Sequence, residues 1–141
     1  MIIKQLSVFL ENKSGRLTEV TGALASAQIN ISAFSIADTS EFGVLRMIVN
    51  KPDEAEKILK TKGISVHITE VVGFIVPDEP GGLHRALQIL SSEGISVEYM
   101  YAFALGDRAS VIVRTDTVQQ AIGVLQKHKM ELLKANDIYE I

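Results

Sequence analysis

The sequence predicts an α+β protein made of two copies of one β-α-β-β-α-β unit. Apolar residues recur with strand and helix periods in that order, once in each half of the chain. A polar, glycine-containing corner follows the first strand of each copy, and a constant offset of 66 positions relates the copies.

Composition sets the bounds. The chain has 141 residues, enough for one ordinary domain or two very small ones. Apolar residues make up 47% and charged residues 22%, which suits a packed core and not a disordered chain. A net charge of −3 argues against nucleic acid, which selects basic patches. Lys127, His128, Lys129 and Lys134 read as a solvated helix end. With no cysteine there is no disulfide framework, thiolate nucleophile or Cys-based metal site. The start Met1-Ile2-Ile3-Lys4-Gln5 lacks the pattern of a signal peptide, and no apolar run approaches the ~20 residues of a membrane span. A soluble, cytoplasmic protein without membrane contact is the expectation.

Taken in order, Ile2 to Leu10 reads as a strand, with Ile3, Leu6, Val8 and Leu10 mostly in alternation. From Ser14 the period lengthens, and Leu17, Val20, Leu24 and Ala27 fall on one helical face. Ile31 to Ala37 is the second strand, Asp38 to Glu41 a turn, and Val44 to Val49 the third strand. Pro52 near a first turn starts a helix with Ala55, Ile58 and Leu59 buried, and Gly63 stops it. Ile64 to Ile68 alternates as a fourth strand. This order is a ferredoxin-like unit.

The pattern then restarts. Val71 to Val76 is a strand, a helix runs from about Pro80 to Glu93, and Ile95 to Leu105 is a strand. A turn at Gly106-Asp107-Arg108 leads to strand Ala109 to Thr115, helix Thr117 to His128 and a final strand within Met130 to Lys134. The tail from Asp137 reads as a short edge strand. The offset of 66 pairs Gly15 with Gly81, Leu17 with Leu83, Leu24 with Leu90, Ile31 with Val97 and Leu59 with Leu125. Residues 1–69 and 70–141 are the expected units. Only Thr69-Glu70 separates them, so they are expected to be docked and not tethered.

Each corner holds the groups that a small-ligand site needs. Asn12 offers an amide, Ser14 a hydroxyl that caps the coming helix, and Gly15 a backbone without Cβ that brings N–H groups close to an anion. The second corner reads Asp78-Glu79-Pro80-Gly81-Gly82-Leu83.

The two corners, with Ile29-Asn30-Ile31 and Ile95-Ser96-Val97 opening the following strands, resemble a pair of ACT domains in tandem over nearly the whole chain. The resemblance implies a regulatory, amino-acid-binding protein without a cofactor, whose ligand sits at the interface between units. It points to Asn12, Ser14, Gly15, Arg16, Leu17, Asn30 and Ile31 in one copy. In the other it points to Asp78, Gly81, Gly82, Leu83, Ser96 and Val97. A homodimer is implied, with a separate enzyme or other protein as the regulated partner. The copies differ where specificity is set: Arg16 faces Gly82, Ser14 faces Pro80, and Ala33-Phe34-Ser35 faces Tyr99-Met100-Tyr101.

Other polar residues suggest less. Asp38, Glu41, Asp107 and Arg108 read as solvated turn charges. Tyr99, Tyr101 and Phe103 share one strand face and read as core or inter-unit packing, with a ligand wall as the alternative. His67, His84 and His128 lie on different elements, which speaks against a metal site. Ser14, His84 and Asp78 are the one trio that a catalyst could draw on, and Ser14 already serves as a cap. A ligand-free interaction subunit, pairing through exposed sheet edges, is the main alternative to the sensor.

Overall fold

Strand β1 (Ile2–Glu11) is buried through its middle, and its Leu6 and Val8 are fully buried in one core with the helix residues Val20 and Leu24. It is followed by α1 (Arg16–Ser26), β2 (Ile31–Asp38), β3 (Phe42–Val49), α2 (Pro52–Thr61) and β4 (Ser65–Pro77). Then come α3 (Gly82–Ser92), β5 (Val97–Leu105), β6 (Arg108–Thr115), α4 (Val118–Lys127), β7 (Glu131–Leu132) and α5 (Ala135–Tyr139). The computed structural model describes every residue except Asn12, Thr39, Ser40, Glu140 and Ile141, and the backbone alone of Asp38 and Leu105. The expected turn at Asp38 to Glu41 therefore lies partly outside the described residues.

The chain forms two compact units. The N-terminal unit comprises Lys4–Thr69 and the residues from Asn136 on; the C-terminal unit comprises Glu70–Ala135 and Met1–Ile3. In the N-terminal unit the strands are ordered β2-β3-β1-β4, and in the C-terminal unit β5-β6-β4-β7. This is the ferredoxin-like order twice, with β3 antiparallel to β1 and to β2, and β6 antiparallel to β4 and to β5.

Each unit closes its own core. Leu6, Val8, Val20, Leu24, Leu45, Met47, Ala55 and Leu59 fill the N-terminal one. Phe74, Val76, Ala86, Leu90, Val111, Val113, Ala121 and Leu125 fill the C-terminal one. Burying a side chain of this size contributes roughly 1.5–3 kcal/mol, so these residues supply the main favourable term.

The repeat is carried into local detail. Helices α3 and α4 begin and end 66 positions after α1 and α2, and β6 does the same after β3. A register shift between Ile31 and Ala33 recurs between Val97 and Tyr99.

Three details depart from the sequence reading. Thr69 and Glu70 do not break the strand, because β4 runs unbroken from Ser65 to Pro77. The tail is a short helix, α5, and not an edge strand; its Ile138 is fully buried, and the Lys4 N–H donates to the Tyr139 hydroxyl at 2.8 Å. Tyr99, Tyr101 and Phe103 do share a face, but it is not the core face. Their neighbours Met100 and Ala102 pair with the core residues Val113 and Val111 and so lie on that side.

Candidate functional site

The two corners are built by one set of hydrogen bonds. In the first, the Lys13 N–H donates to the Glu11 carbonyl (2.8 Å), Arg16 N–H to Lys13 (3.2 Å) and Glu19 N–H to Gly15 (3.0 Å). In the second, Glu79 N–H donates to Pro77, Gly82 N–H to Glu79 and Arg85 N–H to Gly81, each at 3.0 Å. Gly15 and Gly81 are the N-caps of α1 and α3, with φ of 88° and 87°. That left-handed conformation is costly for any residue with a Cβ, which accounts for glycine at both positions.

Ser14 does not cap α1. Gly15 occupies the cap position, and among the described residues no side chain caps α1 or α3. An α-helix leaves its first N–H groups without intrahelical partners. Among the described residues, those of Leu17 and Thr18 in one copy, and of Leu83 and His84 in the other, have no capping side chain, and they lie on the positive end of the helix dipole.

Beside each corner lies a cleft. One, of about 280 Å³, is lined by Leu10, Glu11, Lys13, Arg16, Leu17, Ile36, Gly43 and Leu45. The other, of about 300 Å³, has Val76, Pro77, Glu79, Leu83, Ala102, Ala109 and Val111 at the matching positions, with Asp78, Phe103 and Ala104 in addition. Seven positions of the first cleft recur in the second 66 residues later. The fold thus produces the same concavity twice, whatever side chains line it.

The chemistry of the two clefts differs. In the first, the Lys13 ammonium stands 2.9 Å from Glu11, and Arg16 is 3.0 Å from Glu19. The hydrogen bond and charge of Lys13, helped by Arg16, hold the Glu11 carboxyl below its ordinary value. In the second, Asp78 and Glu79 line the cleft, Glu79 is paired with Arg85 at 3.0 Å, and no cation stands at residue 82. Gly82 has a steric cause, since a Cβ there would lie 2.3 Å from the Pro77 carbonyl oxygen.

The structure brings Arg16 and Leu17 together at the first cleft, and Asp78 and Leu83 at the second. Gly15 and Gly81 shape the corners as caps, and Asn12 lies outside the described residues. Ile31 lines a smaller pocket of about 60 Å³ with Leu17, Thr21, Phe34, Leu45 and Met47. Asn30, Ser96 and Val97 line neither cleft: the Asn30 N–H donates to the Asn50 side-chain oxygen (3.0 Å), Ser96 is exposed, and Val97 packs against the core. The sequence reading missed the far walls, Ile36, Gly43 and Leu45 with their counterparts Ala102, Ala109 and Val111. The signal was there in the hairpins, which fold the end of the second strand back beside the corner.

Among the described residues no three His, Asp or Glu side chains cluster to hold a metal, and no helix is long and apolar enough to cross a membrane.

Comparison with known proteins gives a consistent result. Protein BT0572 from Bacteroides thetaiotaomicron is 50% identical in sequence and superposes with a TM-score of 0.96, over 100% of this chain and 98% of that one. The ligand-free regulatory subunit of aspartate kinase from Thermus thermophilus is 17% identical with a TM-score of 0.65, over 88% of this chain and 91% of that one. The corresponding subunit from Thermus flavus is 17% identical with a TM-score of 0.62, over 90% and 94%. At that identity the last two show a shared fold. No curated protein sequence matches. The family described as ACT domain pair, a regulatory and not a catalytic module, matches residues 1–141. With two ferredoxin-like units, two equivalent corners and a match along its whole length, the chain belongs to the ACT domain pair family.

Proposed function

We propose that this protein is a non-catalytic regulator that binds a free amino acid at its corner clefts and thereby alters its contacts with a partner protein or enzyme. The observation that carries the reading is the recurrence of one cleft at both corners, from residues 66 positions apart. Clefts near 300 Å³ suit a ligand of amino-acid size, at the small end of the usual range. A carboxylate is received by the first N–H groups of α1 or α3, as at other helix starts. Lys13 and Arg16 add positive charge at the first corner, while Asp78 takes an ammonium at the second. The corners need not bind the same ligand or bind it equally well.

Regulation on this reading is a population shift, limited by the ligand's differential affinity for two states of the protein. The working form is a homodimer. Supporting that is the terminal strand β2, where Phe34 and Ile36 are 61% and 50% exposed beside the core residues Met47 and Leu45. The same edge favours a second reading, an interaction subunit that needs no ligand.

A thermal-shift panel against the common amino acids separates the two. A ligand at about 100 times its Kd stabilises the folded state by roughly 2.7 kcal/mol, and a rise in Tm with one amino acid or a related few is expected. No rise with any of them at millimolar concentration contradicts the sensor and leaves the interaction subunit.

A further inference from the structure

The N-terminal corner has a second side. Leu10, Glu11 and Arg16 also line a separate cleft of about 370 Å³, whose other walls include Phe9, Glu19, Phe42, Lys62 and Ser65. It opens where β1 ends, β3 begins, and α2 passes into β4. Phe42 pairs with Glu11 and Phe9 with Val44, so both rings lie on the sheet face opposite the buried Leu6 and Val8, diagonally adjacent across two strands. They are 43% and 53% exposed for Phe9 and Phe42 respectively, a large aromatic surface to leave in water.

The cleft also holds an uncommitted cation. Arg16 is engaged with Glu19, but among the described residues no carboxylate stands within ion-pair distance of Lys62. A rigid aromatic floor and a free ammonium at one rim suit a planar apolar group that carries one negative charge.

The C-terminal unit shows what the same place becomes when it is closed. Phe42 and Ser65 correspond to Arg108 and Glu131, 66 positions on, and those two side chains form an ion pair. Arg108 sits opposite Pro77 and Glu131 opposite Ile75, so the pair bridges β4 where the N-terminal unit leaves its cleft open. Arg16 is replaced there by Gly82, which removes the shared wall. The opening is thus a property of particular side chains and not of the fold.

We propose that this cleft is a binding site for a small aromatic carboxylate, distinct from the corner clefts, with the ring against Phe9 and Phe42 and the carboxylate at Lys62. The test uses phenylacetate as probe and phenethylamine as its cationic counterpart, followed by NMR of the full chain. Phenylacetate is expected to shift the ring resonances of Phe9 and Phe42, and phenethylamine is not. Lys62→Gln should weaken binding about fivefold, as for loss of one exposed charge contact. The double variant Phe42→Arg, Ser65→Glu imports the ion pair of the other unit at two exposed positions and should weaken binding by about tenfold or more. The thermal unfolding of both variants reports whether the fold is kept. Equal binding of the amine, undiminished affinity in the double variant, or shifts confined to the Leu17 and Thr18 amides of the corner would each overturn the proposal. The corner reading is unaffected by these outcomes, because it rests on the amino-acid panel.

Discussion

At residue 16 the N-terminal unit has Arg, and at the matching residue 82 the C-terminal unit has Gly, yet the same three backbone hydrogen bonds hold both corners. The comparison separates what the fold demands from what the side chains are free to change. Left-handed glycines at 15 and 81 are demanded, because the turn into the helix cannot otherwise be made cheaply. Residue 16 is free to carry a guanidinium that charges the first cleft. Residue 82 is not, since the Pro77 carbonyl oxygen occupies the space a Cβ would need.

Exchanging residues between equivalent positions tests this comparison. The largest effect is expected from Gly82→Arg, which copies the N-terminal residue into the C-terminal unit. Its Cβ would meet the Pro77 oxygen at 2.3 Å, and overpacking against backbone should cost about 3 kcal/mol. The check is the urea midpoint at unchanged m-value. A loss below about 1 kcal/mol would mean that the second corner relaxes to the geometry of the first.

Next comes Thr115. It is fully buried, and among the described residues its hydroxyl has no hydrogen-bond partner, whereas its counterpart Val49 is buried and apolar. Thr115→Val replaces the orphan hydroxyl with a methyl of like shape and should raise stability by about 1–2 kcal/mol. A variant less stable than the parent would show that the hydroxyl is satisfied in solution.

A third exchange concerns helix ends. Gln28 and Lys129 adopt positive φ (59° and 58°), and their counterparts Gly94 and Gly63 do so as glycines (75° and 76°). Each equivalent pair therefore has one residue suited to the position and one strained by it. Gln28→Gly and Lys129→Gly should each stabilise by about 0.5–1 kcal/mol, and Gly63→Ala should destabilise by a similar amount. Thermal unfolding of the three variants decides the sign.

The sequence made the repeat legible because its offset of 66 holds from Gly15/Gly81 through Leu59/Leu125, and that offset placed all four long helices. Less was legible where no periodicity operates. Five residues are too few for α5 to declare a helical face, so the tail read as a strand. The Ser14 hydroxyl satisfied the cap pattern, but Gly15 was already required at the cap itself. At the candidate site, the near wall was visible in the corner motif. The far wall, Ile36 and Leu45 with Ala102 and Val111, depends on hairpin register, which places residues from another strand beside the corner.

The smallest expected effect is electrostatic and belongs to the C-terminal unit alone. Glu93 lies 3.2 Å from Lys127 and 3.4 Å from His128, and these hydrogen bonds hold its carboxyl below the ordinary value. The corresponding residue is Ala27. A carboxyl lowered by folding contributes stability that is present above its unfolded pKa and lost as pH falls through its folded pKa. Glu93→Gln should therefore flatten the acid limb of the stability profile and leave the difference from the parent shrinking toward low pH. A parallel offset at every pH would contradict that assignment.

Whether the corners hold the ligand is decided by an amide NMR titration of the full chain with whichever amino acid raises its Tm. Shifts are expected at the first-turn amides Leu17 and Thr18, or Leu83 and His84, spreading to the walls of the same cleft. For a ligand of the first corner, Arg16→Gln should weaken binding while leaving the fold intact. Shifts confined to surfaces away from both corners, with affinity unchanged in Arg16→Gln, would place the ligand elsewhere on the molecule and exclude the corners as its site.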